Sequence, residues 1–78
     1  MQARKFPLSL SSEREWVTIV SMRKGRKCQE RLISMGLAVG DVIEVIQRRG
    51  HGTLVVEKDN NRYVLGGGMA RKIEVTLN

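Results

Sequence analysis

The sequence predicts an all-β fold: a small barrel of five short strands with one short α-helix inserted after the first strand. Three observations carry that prediction. Five separate segments show alternating apolar and polar residues or short β-branched runs. The helical period occurs once, where Cys28, Leu32 and Met35 stand at i, i+4 and i+7. A chain of 78 residues has room for one core only, so the sheet must curl on itself to enclose it and to remove its edges.

The elements follow in order. Residues 1–12 read as an N-terminal arm, with Ser9, Ser11 and Ser12 in polar-turn positions and Phe6 or Leu8 available to fold back on the core. Residues 13–78 read as the domain. Trp16 to Met22 is rich in β-branched residues and forms the first strand, with Val17 and Ile19 on one face. Cys28 to Met35 is a helix of about three turns, ended by Gly36 in the left-handed region a helix-terminating glycine adopts. Gly40 and Asp41 turn into a second strand from Val42 to Arg49. Gly50, His51 and Gly52 turn into a third, Thr53 to Lys58. Asp59, Asn60 and Asn61 make a tight turn, since Asp and Asn tolerate positive φ, and Arg62 to Leu65 is the fourth strand. Three glycines break it, one helical or 3₁₀ turn spans Met69 to Arg71, and Lys72 to Leu77 alternates with Ile73, Val75 and Leu77 inward. The predicted core is Val17, Ile19, Leu32, Val45, Val56, Val64, Ile73 and Val75, with the helix plugging one end of the barrel.

Charge narrows the function classes. The chain carries 14 Lys and Arg against 8 acids, a net +6. The first half holds eight basic and three acidic side chains and the second six and five, so the first half carries the field. A basic excess suits nucleic acid, an anionic membrane surface or an acidic protein. Phe6, Trp16 and Tyr63 are the only aromatics, too few for a platform that stacks single-stranded bases. One cysteine excludes an internal disulfide, which fits a reducing cytoplasm. No apolar run approaches the roughly 20 residues that span a bilayer, and Met1 to Leu10 does not read as a signal peptide.

No catalytic constellation is visible. His51 has no second histidine and no neighbouring acid, and Cys28 falls on the buried face of the helix, where a thiol acts as a small hydrophobe. A transition-metal site gathers three or four ligands, so no catalytic, cofactor or metal residues are assigned. Weak contact with ferrous or another divalent ion at His51 stays open. Gly66, Gly67 and Gly68 lack the lysine and hydroxyl of a phosphate loop. The basic cluster Arg23, Lys24, Arg26, Lys27 and Arg31 flanks the start of the helix, where cations oppose the macrodipole. With Met35 and Leu37 at its apolar edge, it is the candidate partner-binding surface.

From Arg31 onward the residues resemble a known family. Arg31-Leu32-Ile33-Ser34-Met35-Gly36-Leu37, then Gly40-Asp41 and the strand Val42 to Val45, then Tyr63-Val64-Leu65 and Ala70 to Val75, are similar in order and spacing to the ferrous iron transport protein A (FeoA) family, over roughly residues 15–77. The resemblance implies an SH3-like barrel. It further implies a non-enzymatic cytoplasmic accessory role in bacterial ferrous iron transport, at the inner face of the membrane beside an iron permease with a GTPase domain (FeoB). A related module closes some metal-dependent repressors, so metal-linked regulation is a neighbouring reading. A small basic barrel that binds nucleic acid is the alternative from another class.

Overall fold

Alternating apolar residues at Val17 and Ile19, Ile43 and Val45, and Ile73 and Val75 turn one side of their segments into the core, and the computed structural model, which describes residues 4–22 and 26–78, shows how these are joined. The elements are β1 (Phe6–Pro7), β2 (Trp16–Met22), α1 (Arg26–Met35), β3 (Val42–Arg48), β4 (Leu54–Lys58), β5 (Asn61–Leu65), α2 (Gly67–Lys72) and β6 (Ile73–Leu77). The strands form one antiparallel sheet in the order β1-β6-β2-β3-β4-β5.

Two features differ from the predicted five-stranded barrel. The sheet has a sixth strand, β1, which pairs Phe6 with Val75 and Pro7 with Glu74. Two residues, one of them proline, offer no period to read, and a proline is accommodated only where the sheet ends. The sheet also curls without closing, because β1 and β5 are its two edges and do not pair with each other. The chain leaves β5 through α2 to reach β6 at the other side of the sheet, and α2 packs on β1, β6 and the 3₁₀ turns Leu8–Leu10 and Gly50–Gly52. The curl itself comes from register shifts between Ile19 and Ser21 on β2 and between Val45 and Gln47 on β3. An extra residue on one strand bends it and increases the local twist.

The core joins Val17, Ile19, Ile43, Val45, Leu54, Val56, Leu65, Ile73 and Val75 from the sheet to Leu8, Leu32, Leu37 and Ala70. The 6–11 stretch of the predicted arm is part of this body: Leu8 and Ser11 are fully buried. Arg48 holds the segment, with its guanidinium donating to the carbonyls of Ser9, at 2.8 Å, and of Ser11. Val64 departs from the predicted core and is 55% exposed. The two-residue Asp59-Asn60 turn closes on the pair Lys58–Asn61, so Tyr63 stands opposite Val56 of the core cluster and Val64 opposite Val55, which is buried but lies outside that cluster. A one-residue change of parity moves every side chain of a strand to the other face. Leu77 pairs with the buried Val17 at the end of β6 but remains exposed.

Gly67 has a packing role rather than the flexible one its glycine neighbours suggest. A Cβ at this position would collide with the carbonyl oxygen of His51, so only glycine lets α2 start against the Gly50–Gly52 turn.

Candidate functional site

The predicted partner surface is built on α1. Its sequence, Arg-Lys-Cys-Gln-Glu-Arg-Leu-Ile-Ser-Met, consists largely of unbranched side chains with good helix propensity. Leu32 alone of its ten residues is fully buried, and Cys28 and Met35 beside it are half-buried. Arg26, Lys27, Glu30, Arg31 and Ser34 are exposed, and Ile33 stands among them at 55% exposure. Arg23 and Lys24 lie outside the described residues. Of the seven predicted partner-binding residues, therefore, Arg26, Lys27 and Arg31 share the exposed side of one helix, and Met35 borders its buried side.

Leu37 does not belong to that surface. It is 0% exposed. Gly36, at φ +105°, reverses the chain. The N–H of Gly36 then donates to the Ile33 carbonyl at 2.9 Å, and the N–H of Leu37 to the Leu32 carbonyl at 3.0 Å. This pair of bonds is the glycine-terminated end of a helix, and it folds the residue after the glycine onto the residue five before it. Leu37 thus packs in the same core cluster as Leu32. Leu37 is therefore not at the apolar edge of the basic cluster, as its place after the glycine suggests, because the bond pattern the glycine permits turns it inward.

The corner is locked from the sheet side. Lys58 Nζ, from the end of β4, donates to the Gly36 carbonyl at 3.0 Å and to Asp41 Oδ2 at 2.8 Å. The Ala38 N–H donates to the same carboxylate oxygen at 2.7 Å. Burial pushes the Asp41 carboxyl up, but the bonds from Lys58 and Ala38 outweigh it and hold the group below its ordinary value of 3.8. The hydrogen bond to Asp41 holds the Lys58 ammonium above its ordinary 10.5. The Gly40 N–H donates to the Ile19 carbonyl at 2.7 Å and the Ile19 N–H to the Asp41 carbonyl at 2.9 Å, which ties the corner to β2.

The electrostatics of α1 are unlike those of a helix arranged for its own stability. Its first turn has no acid and begins with two cations, and its last turn has no base. Among the described residues the salt bridges are Lys58–Asp41 and Arg62–Glu57, and neither engages an α1 side chain. His51, at φ 64°, is exposed in its turn, and no group of three or more His, Cys, Asp and Glu side chains is placed to hold a metal ion among the described residues. No helix is long and apolar enough to cross a membrane among those residues. A shallow groove of about 400 Å³ runs between the exposed Trp16 and the β4–β5 turn, lined also by Val42, Glu57 and Lys58.

The sequence matches the FeoA domain over residues 6–77. The chain belongs to the FeoA family. A Methanocaldococcus jannaschii protein that carries the provisional name Fe(2+) transport protein A is 31% identical over 70 residues, 90% of this chain and 84% of its own length. The crystal structure of an iron uptake regulatory protein, FeoA, superposes with a TM-score of 0.82 at 26% identity, over 92% of this chain and 95% of that one. A manganese-dependent transcriptional repressor matches at TM-score 0.88 and 19% identity, over 100% of this chain but 44% of the repressor, a likeness of fold alone. The curled sheet with its inserted helix is thus the SH3-like fold of the FeoA family, here with α1 as its charged face.

Proposed function

We propose that this FeoA-family chain is a non-enzymatic accessory protein of ferrous iron transport, which docks through the exposed side of α1 on the cytoplasmic part of a membrane iron permease with a GTPase domain (FeoB). The observation that carries the reading is the cationic first turn of α1. Cations there oppose the helix macrodipole, and neither Arg26 nor Lys27 is buried or belongs to a salt bridge among the described residues. A side-chain set that does nothing for its own helix is accounted for by a partner with acidic groups, which arginine pairs with bidentately. Arg26, Lys27 and Arg31 form the charged part of the surface, and Ile33 with the edge of Met35 supplies its apolar contact. The protein works in the cytoplasm and reaches the membrane only through that partner. Iron is the permease's cargo, and contact with a divalent ion here is at most weak.

The test is binding kinetics between the purified chain and the permease's cytoplasmic part at two ionic strengths. Reversing Arg26→Glu together with Lys27→Glu leaves the circular dichroism unchanged, slows association and flattens its salt dependence, because rim charges act mainly on the association rate. A folded double variant that associates at the wild-type rate at low salt places the docking surface elsewhere.

A further inference from the structure

Edge strand β5 has an open hydrogen-bonding side. The β4–β5 hairpin turns through two residues, Asp59 at φ 52° and Asn60 at φ 68°, both left-handed, and closes on the pair Lys58–Asn61. In such a hairpin the closing pair exchanges its main-chain bonds, and bonded and non-bonded pairs then alternate along the ladder. Lys58–Asn61, Val56–Tyr63 and Leu54–Leu65 are therefore the bonded pairs. The N–H and C=O groups of Arg62 and Val64 point away from β4, off the edge of the sheet. Gly66 continues the extended backbone at φ −63°, ψ 158°. Its carbonyl accepts from the Ala70 N–H at 2.9 Å, and the same alternation sends its own N–H outward. No backbone bond from another element reaches this side of β5 among the described residues.

We infer that β5 is a self-pairing edge: two copies of the chain join antiparallel through residues 62–66, with Val64 on the two-fold axis. The pattern is complementary to itself. Val64 faces Val64 of the second copy, and the two exchange both main-chain bonds. Each Gly66 N–H donates to the Arg62 carbonyl across the axis. Val55 pairs with Val64 within each sheet, so the joined sheet carries an unbroken row of four valines across its seam. That row covers Val64, the exposed apolar side chain of β5. Arg62, already 3.5 Å from Glu57 of its own chain, faces a glycine and meets no like charge. A foreign strand would need a matching sequence, which the second copy supplies by symmetry. The opposite edge, β1, is two residues long and contains Pro7, so it offers no comparable template. The seam is far smaller than the ~800 Å² per partner of a standard interface, so the dimer is weak and appears only at high protein concentration. This inference does not depend on the docking surface of α1.

Sedimentation velocity of the full chain, with amide hydrogen exchange at matched concentrations, tests the pairing. As concentration rises, the average mass moves toward twice that of the monomer, and the Val64 and Gly66 amides become slow to exchange. Val64→Pro removes the outward N–H without taking a bond from the β4 ladder and abolishes the mass shift. Val64→Arg keeps the N–H, sets like charges face to face on the axis, and also abolishes it. Circular dichroism controls for folding in both. A wild-type chain that stays monomeric at its solubility limit overturns the inference, as does a dimer that survives both variants or leaves the Val64 amide in fast exchange. A Val64 amide slowed only when the permease's cytoplasmic part is added overturns it too, and assigns the edge to a strand of that partner.

Discussion

Helix α1 and the curled sheet use their residues in opposite ways. In β2 and β3 a buried residue recurs at every second position through Val17, Ile19, Ile43 and Val45, and each strand has neighbours on both sides. In α1 one residue of ten is fully buried, and the remainder face solvent or half-face it. The sheet is held by many equivalent contacts. The helix is held mainly through Leu32, with Met35 packed beside it, and at one end through the Gly36 corner. Stability therefore resides in the sheet, while α1 is free to carry charges that its own electrostatics disfavour. Position in the fold, rather than composition, separates the residues that build this protein from those it leaves exposed on α1.

Three changes would break or sharpen that contrast. The largest effect belongs to Leu32→Ala. As the single fully buried residue of α1, it should cost about 2–5 kcal/mol, a large part of the 5–15 kcal/mol a domain commonly has. Urea unfolding measures this, and a loss below the low end of that range would mean α1 is held elsewhere. Gly36→Ala comes next. At φ +105° an L-residue is strained, and its Cβ would stand 3.2 Å from the Tyr63 hydroxyl. The left-handed penalty of about 1–2 kcal/mol should appear as a lower melting temperature with an intact sheet signature in circular dichroism.

The smallest effect concerns the clasp at the corner. Asp41 is held below 3.8 when folded, so its contribution is complete above that value and is lost as pH falls through the lowered one. Lys58 is held above 10.5, so its contribution is complete below that value and fades as pH rises through the raised one. Urea midpoints followed against pH should show a plateau between those limits with a fall on the acid side, and Asp41→Asn should flatten that fall. Identical acid limbs would show that the clasp adds nothing to the anchoring of α1.

The parts that could be read from sequence are those in which local pattern and burial coincide. Val17 with Ile19 and Ile73 with Val75 sit where their alternation places them, and Leu32 sits where the helical period does. The errors arise where a bond pattern overrides the pattern of side chains. Val64 looked inward because it is apolar, yet the parity of β5 is set by the Asp59-Asn60 turn. Leu37 looked exposed because it follows a glycine, yet the terminal bonds of α1 fold it inward. Leu8 lacked any period around it, and its burial depends on β6, far away in the chain. For the candidate surface, the sequence showed the charge cluster and its misfit with the helix dipole. Which apolar residue stands beside it, Ile33 rather than Leu37, required the geometry of the corner.

The place of β6 bears on how the protein is made. Strand β6 lies between β1 and β2, which are synthesised well before it. Until Ile73–Leu77 clears the ribosome exit tunnel, Val17 and Ile19 lack the neighbour that covers them, and β1 has no strand to pair with. The sheet is therefore completed only once Leu77 has emerged from the tunnel. Loss of Ile73–Leu77 would remove an interior strand and leave β1 without its partner in the sheet, rather than trim a margin. Pairing of distant segments also slows folding relative to a helical protein of this size, so the nascent chain depends on protection of its exposed apolar strands during that interval.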